Sequence, residues 1–548
     1  MKEIIERYQA DAGSIERTYP LTASPRHRAR MREFLDGQRS FLKAIDSKQL
    51  SGNDLVDYVL FRNYLDHELV RIDLQEKRLA EIDSLLPFAK TIVRLDEERR
   101  AMLAVHPQQA AELLNSVLPR LSVVRAALLK GLGKDRESGP SRVQANRAAG
   151  ECRQITRILS DWYEFYAGYD PLFTWWVEAP FKRLDEALND YSDFLSEELV
   201  GIEKGDRDAI IGDPIGREAL LNELKREMIA YSPEELVRIA EKEYAWCETE
   251  MKKASRELGY GDKWLMAVEH VKNLHTAPGE QPELIHRLAL EAVDFLETRD
   301  LMTIPPLAKE TWRMEMMSAE RQKVSPFFTG GEVITVAFPL DSMQHEQKMM
   351  SLRGNNIHFS RATVHHELIP GHHLQGFMVD RYRTYRQLFW TPFWVEGWAL
   401  YWEMQLWDLG FPQSPENRVG MLFWRMHRCA RIIFSLNFHL GKMTPKECID
   451  LLVTRVGHEV DNATAEVRRS FAGDYPPLYQ AAYMVGALQF RALYKELVEG
   501  GRMTAREFHD QILMSNMMPV EMVRILLGKM EVTAEFTPAW RFYGEGEK

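Results

Sequence analysis

Cysteine is scarce in this chain: four residues, Cys152, Cys247, Cys429 and Cys448, among 548. They lie far apart and form no C-x-x-C pair, which excludes a disulfide framework and a zinc knuckle. No run of 18 or more apolar residues occurs, so a membrane-spanning helix is excluded and no membrane partner is expected. The first residues, MKEIIERYQADAG, carry acids where a secretory leader needs an uninterrupted apolar stretch. The expected compartment is therefore the cytoplasm, unless a leader has been removed. Excess positive charge is lacking too: 70 Lys and Arg stand against 81 Asp and Glu, a net charge of −11. That is the wrong sign for a binder of phosphate backbones, so nucleic acid is not an expected partner. What remains is ordinary for a folded protein, with 45% hydrophobic and 28% charged residues. At about 150 residues per domain the length allows three or four domains, or one large helical fold.

Up to about residue 320 the text is mostly amphipathic helix. In LVDYVLFRNYLDHELVRIDLQEKRLAEI, apolar residues recur at spacings of three and four with charges between them. Helix breakers cluster at 131–140, 201–216 and 276–282, the expected loops between helical groups. The texture changes at PFFTGGEVITVAFPLD, where Gly330 and Gly331 precede a short β-branched run, Val333 to Val336, ended by Pro339. One or two strands are expected there. Helical text resumes at 361–380 and 392–409 and continues to about residue 530. The expected fold is mainly α with a small sheet near residue 335. The expected organisation is a helical N-terminal region, 1–320, and a metal-binding catalytic region, 321–548, forming one continuous fold around a cleft.

Four of the sixteen histidines fall within nine residues, in HHELIPGHH: His365, His366, His372 and His373, with Glu367 among them. Neutral imidazole is the commonest metal ligand, and a hydrolytic metal needs a nearby base to take a proton from its bound water. The cluster predicts a catalytic site for one zinc ion, with Glu367 as general base. It departs from H-E-x-x-H, in which histidines at i and i+4 share a helix face. Position i+4 from His366 is Pro370, and the next histidine, His372, stands at i+6, about 120° away on a regular helix. Pro370 removes a backbone donor and biases Ile369 away from α, and Gly371 tolerates unusual dihedrals, so a local break is encoded. Looping out two residues would bring His372 to the usual position. His373, at i+7, faces within about 20° of His366 but about 10.5 Å along the axis, and is the alternative ligand.

The third ligand is expected from FWVEGWALYWE. Glu396 lies in an otherwise apolar, aromatic helix, where an unpaired carboxylate is costly unless a cation meets it. Glu403, seven residues on and nearly on the same face, is placed to orient a ligating histidine. The aromatic run around both is expected to be core beside the metal. Each feature also has a plainer reading. Paired histidines occur in satisfied cores, and the H-E dipeptides at His67, His345 and His458 have no second histidine nearby and are expected to be ordinary.

The strings H-E-x-x-P-G-H-H-x-Q at His366 to Gln375, E-G-W-A-L-Y-x-E at Glu396 to Glu403 and Q-A-x-x-Y-x-x-G within YQAAYMVG at Tyr479 to Gly486 resemble a bacterial family, domain of unknown function 885. That family looks like a divergent branch of the gluzincin metallopeptidases, which are largely helical and bind zinc through two histidines and a downstream glutamate. The resemblance implies His366, His372 and Glu396 as ligands and Glu367 as base. It implies a Tyr or His opposite the zinc to hold the developing oxyanion, first Tyr483 and second His439, with Arg469 to neutralise a substrate carboxylate. It also implies that VITVAF is an edge strand on which an extended peptide pairs its backbone.

The expected activity is thus zinc-dependent hydrolysis of peptide bonds, and an enclosed site would favour short peptides. Two other readings use the same residues. Two histidines and one carboxylate can hold iron for oxygen chemistry, although the glutamate beside His366 favours hydrolysis. A helical scaffold with a structural metal is the non-enzymatic reading, for which four protein ligands are usual. Neither peptide length, side-chain preference, end of attack nor oligomeric state is legible.

Overall fold

The computed structural model describes residues 1–132, 139–204, 206, 209–322, 327–471 and 475–544. The fold is mainly helical with one two-stranded sheet among the described residues, as the periodicity predicts. The breaker stretches 201–216 and 276–282 each fall between helices; residues 133–138 of the stretch 131–140, and residues 205, 207 and 208, lie outside the described residues.

The chain divides into two compact units. One comprises Glu6–Ile45 and Leu65–Asp213. Its helices Pro107–Leu132, Arg142–Tyr166 and Pro171–Phe194 bury Leu114, Val117, Ile155, Leu159, Phe173, Val177 and Leu184 in a shared core. Trp162 packs edge-on to Phe173 there, at 5.1 Å between ring centroids. The buried Tyr191 hydroxyl donates to the Leu85 carbonyl at 2.8 Å, so the one polar atom of that large side chain is satisfied.

The other unit comprises Met1–Ile5, Asp46–Tyr64 and Pro214–Lys548 and holds every residue expected at the metal site. Strands β1, Arg313–Met316, and β2, Val333–Val336, run parallel with Arg313 opposite Val333 and Met316 opposite Val336. Beside them lie helices α1, Ile357–Glu367, and α2, His372–Val379, followed by α3, Pro392–Asp408, and α4, Pro415–His439. Helices α5, Val460–Phe471, and α6, Tyr479–Tyr494, complete the frame of the site. The small sheet packs on α1: Ile334 and Val336 of β2 meet Val364 and Leu368 together with Leu284, Ile285 and Leu288 of helix Gln281–Thr298. This apolar sandwich seats the helix that carries the first two H-E residues.

Helix α3 begins at a Thr391 cap, whose hydroxyl accepts from the Phe393 amide at 3.1 Å, with Pro392 at the first helical position. It is apolar around its whole circumference, and nearly all of its residues up to Leu406 are buried, including Trp394, Trp398, Tyr401 and Trp402. The aromatic run is therefore core, as expected. Helix α3 crosses α6 where Gly397 meets Gly486, and a Cβ on Gly397 would lie 2.6 Å from the Gly486 Cα. Only a glycine pair lets the two backbones come this close, and the crossing sets Glu396 beside the start of α6.

Candidate metal centre

Helix α1 closes with the Leu368 amide donating to Val364 at 2.9 Å. The next bonds reach six residues back instead of four: Gly371 to the His365 carbonyl at 3.1 Å, and Leu374 to Leu368 at 3.3 Å. Two residues are thereby extruded around Pro370, whose peptide bond with Ile369 is cis, and α2 restarts as Gln375 donates to Gly371 at 3.0 Å. The indole N–H of Trp398 on α3 donates to the freed Pro370 carbonyl at 2.8 Å, so the extruded turn is pinned from the neighbouring helix. The consequence is that His366 and His372, 120° apart on a regular helix, stand with ring centroids 4.8 Å apart and planes near perpendicular.

Both rings are held by their Nδ1 atoms. His366 Nδ1 donates to Glu403 Oε1 at 2.7 Å. His372 Nδ1 donates to Gln375 Oε1 at 3.1 Å, and the Gln375 amide is itself oriented by donating to the Trp394 carbonyl at 3.2 Å. With each Nδ1 carrying a proton toward an acceptor, the Nε2 atoms are the ones free to ligate. They converge on Glu396 Oε2, at 3.5 Å for His366 and 3.2 Å for His372. The other carboxylate oxygen, Oε1, accepts from the Tyr479 hydroxyl. Ligands about 2.1 Å from a tetrahedral zinc stand about 3.4 Å from one another, so both separations match the edge of such a tetrahedron. One ligand atom from each of His366, His372 and Glu396 lies within 4.8 Å of the others, and this is the group among the described residues that could hold a metal. The donor set, its burial and its fixed tautomers fit a divalent ion with a position left open.

Glu396 and Glu403 offset charge on the two imidazoles. Burial opposes charge on His372, but the Glu396 carboxylate outweighs it and pushes the imidazole up to about 9. Burial likewise opposes charge on His366, and hydrogen bonds to Glu396 and Glu403 raise it overall. Burial would raise Glu396, yet the neighbouring histidines hold it well below the usual carboxylate range. Glu367 differs: it is raised chiefly by burial, which the charges of His366 and His372 only partly offset. Its carboxylate lies against Gly330, where an added Cβ would sit 2.6 Å from the Glu367 carbonyl oxygen and 2.7 Å from its Cα. Gly330, just before β2, thus gives Glu367 its room.

The remaining predicted residues are placed as follows. His373 turns away, with Nε2 2.7 Å from the Ala308 carbonyl, and does not join the group. Tyr483 on α6 lies parallel to the His366 ring at 6.1 Å, backed by the guanidinium groups of Arg428 at 4.9 Å and Arg431 at 4.3 Å. Arg469 stacks over Tyr475 at 5.0 Å, and Tyr475 stacks on Tyr479 at 4.1 Å. His439 packs against Phe438 and Phe471 at the end of α4, eight residues or about 12 Å along the helix from Arg431. The structure does not bring it to the His–His–Glu group. At β2 the outer edge is already used at Thr335, which exchanges both backbone bonds with Thr329, at 3.1 and 2.8 Å. A peptide could not pair there, which corrects the expectation of an open edge along the whole strand. The fourth clustered histidine, His365, is buried edge-on to Phe411, and burial keeps it neutral by lowering it to about 3.

Three contributors were not anticipated: Gln375, Tyr479 and Arg428. Gln375 stands three residues after His372 on the same helix face, a spacing that could have identified it. Tyr479 stands four residues before Tyr483, again on one face. Arg428 reaches Glu403 Oε1 at 3.5 Å from a distant helix, and no local signal points to it. The plainer reading of His458 also needs amendment, since its Nε2 lies 2.9 Å from His427 Nδ1 in a buried pair.

A sequence profile described as "Bacterial protein of unknown function (DUF885)" matches residues 9–527. No curated protein matches the chain. Among solved structures, a candidate lipoprotein of unknown function from Shewanella oneidensis superposes with a TM-score of 0.68 at 18% identity, covering 96% of this chain and 98% of its own. A candidate lipoprotein from Colwellia psychrerythraea superposes with a TM-score of 0.57 at 16% identity, covering 92% and 91%. At these identities the likeness establishes a shared fold. Lipoproteins are held at membranes outside the cytoplasm, and this description of both neighbours overturns the cytoplasmic expectation, which rested on the acidic character of the first residues.

Proposed function

The chain belongs to the bacterial family of unknown function DUF885, and we propose that it is a zinc-dependent hydrolase of peptide bonds acting on short peptides outside the cytoplasm. The observation that carries the reading is the convergence of two imidazole Nε2 atoms on Glu396 Oε2, each ring fixed by its Nδ1, with Glu367 buried beside the group and outside it. This combination of two histidines, a downstream glutamate and a glutamate next to the first histidine is the one gluzincin peptidases use. The compartment is inferred from the two structural neighbours.

A zinc ion held by His366, His372 and Glu396 would polarise the scissile carbonyl and make its bound water acidic near neutral pH. Glu367 takes the proton from the attacking water and delivers it to the leaving amine. Burial raises its pKa toward the working pH, a direction that favours both halves of that task. Glu403 and Gln375 keep the ligating rings in one tautomer and orientation. Tyr479 occupies Glu396 Oε1 and leaves Oε2 as the ligating oxygen. Tyr483, whose hydroxyl is kept protonated by burial, is a donor for the developing oxyanion, a role worth about 3 kcal/mol. A structural zinc usually has four protein ligands, whereas the described residues offer three here.

The test is to load purified protein with zinc and digest a mixed peptide library, comparing wild type with Glu367→Gln and His366→Ala. Glu367→Gln should retain one zinc per chain and lose at least about a hundredfold in rate. His366→Ala should lose both metal and activity. Full turnover by Glu367→Gln would refute the assigned base, and intact casein cleaved as fast as short peptides would refute the size preference.

A further inference from the structure

The unit comprising Glu6–Ile45 and Leu65–Asp213 has a pocket of its own, about 290 Å³ in volume. It lies between the starts of helices Pro25–Lys43 and Ala89–Arg100, the end of helix Gly52–Ala80 and the middle of helix Arg142–Tyr166. That volume equals about ten waters at about 30 Å³ each, enough for one small molecule. Ile82, Leu86 and Val93 give it an aliphatic floor, each at most 4% exposed. On the outer rim Lys90 pairs with Asp83 at 2.9 Å, so those two charges answer each other.

Two deeper groups on the same wall lack partners. Arg28 is only 8% exposed. Its Nη1 donates to the Thr22 and Ala23 carbonyls at 3.1 and 2.8 Å, but its buried Nε has no hydrogen-bond partner among the described residues. Glu76 Oε1 stands 3.5 Å from that Nε, too far for a charge-assisted bond, and the same carboxylate serves Arg32 at 3.1 Å. Glu151 stands nine residues, about 13.5 Å, into its helix and is half-buried. Among the described residues it has neither a hydrogen bond nor an ion pair, and Arg147, one turn before it, is taken by Asp213 and Glu81. Burial raises the Glu151 carboxyl, and Arg28, which does not pair with it directly, only partly offsets this. A buried donor short of an acceptor and a half-buried carboxylate short of a donor thus flank one aliphatic floor.

We propose that this pocket binds a free α-amino acid with an apolar side chain, its carboxylate on Arg28, its ammonium on Glu151 and its side chain on Ile82, Leu86 and Val93. A zwitterion of this kind answers both groups at once and adds no net charge to the pocket. A simple amine would leave Arg28 Nε orphaned, and a simple carboxylate would leave Glu151 unmatched. The pocket's own residues carry the assignment, which is independent of the reaction at the metal centre.

The experiment is calorimetric titration of the zinc-loaded full chain with L-leucine, with N-acetyl-leucine, which keeps the carboxylate, and with leucinamide, which keeps the ammonium. Leucine should bind, and each analogue should bind at least about tenfold more weakly, because each forfeits the charge-assisted bonds at one end. Glu151→Gln should lower leucine affinity at least about tenfold while far-UV circular dichroism stays unchanged. Arg28→Met should do the same; if it fails to fold, Arg28→Lys, which keeps the charge without the forked donors, takes its place and should also weaken binding. His366→Ala, altered only at the metal centre, should bind leucine as the wild type does. Absence of leucine binding at millimolar concentrations would overturn the proposal. So would an analogue that binds as tightly as leucine, or binding that survives Glu151→Gln and disappears in His366→Ala, which would place leucine at the metal centre instead.

Discussion

Replacing Gly330 with alanine tests the geometry around Glu367 without touching a ligand. The added methyl would sit 2.6 Å from the Glu367 carbonyl oxygen and 2.7 Å from its Cα, distances at which backbone or side chain must shift by several tenths of an ångström. Such overpacking costs about 1–3 kcal/mol. Glu367 lies at the end of α1, where the chain enters the extruded turn, so the strain is relieved most readily by moving Glu367 itself. A displacement of about 1 Å at a reacting group costs about a hundredfold in rate. The expected outcome for Gly330→Ala is one zinc per chain by elemental analysis, near-native zinc affinity, and a fall of about a hundredfold in kcat on a cleaved peptide. A variant with full activity would refute the claim that Gly330 makes room for the base. A variant that loses zinc would show that Glu367 and the ligand pair move together, and would contradict the separation of base from ligands.

Three further outcomes follow from the same geometry. Glu403→Gln keeps an acceptor near His366 Nδ1 but removes its charge and the partner of Arg428; zinc affinity by chelator competition should fall 10- to 100-fold, about 1.4–2.7 kcal/mol, and an unchanged affinity would contradict the orienting role. His373→Ala should leave zinc stoichiometry intact while His372→Ala abolishes it; the reverse would restore His373 as the ligand. The pH dependence has a definite sign. His372 is raised to about 9 in the metal-free protein, so its stabilising pairing with Glu396 is complete below the ordinary imidazole value of about 6.5 and is lost as pH rises through about 9. Zinc must displace that proton, so calorimetry in buffers of different ionisation enthalpy should show about one to two protons released per zinc near pH 7 and few above pH 9. No release near pH 7 would contradict the pairing.

Parts of the site could be read from short spans of sequence because the physics there is local. Pro370 and Gly371 write a break into α1, and the six-residue hydrogen bonds around them place His372 where a regular helix would not. Glu396 and Glu403 are legible as carboxylates in an apolar helix, which demand partners wherever the chain goes. Val333–Val336 is legible as a strand from its β-branched run, but its partner Arg313–Met316 is mostly exposed and alternates nothing, so only the long-range pairing defines it. The choice between Tyr479 and Tyr483 was not legible, since both lie on one face of α6. Which hydroxyl meets Glu396 depends on the crossing of Gly397 with Gly486, 89 positions apart. The same holds for Gly330 against Glu367 and for Arg428 against Glu403, contacts between segments with no shared local pattern. The compartment was misread because composition near the N-terminus says little about attachment, and the relatives of known structure corrected it.

The most direct test of the account is a crystal structure of zinc-loaded protein with anomalous scattering recorded at the zinc edge. The account predicts a single ion about 2.0–2.2 Å from His366 Nε2, His372 Nε2 and Glu396 Oε2, with one remaining position open to solvent. An ion bound through His373, an ion closed in by four protein ligands, or no ion at this group after loading would contradict it.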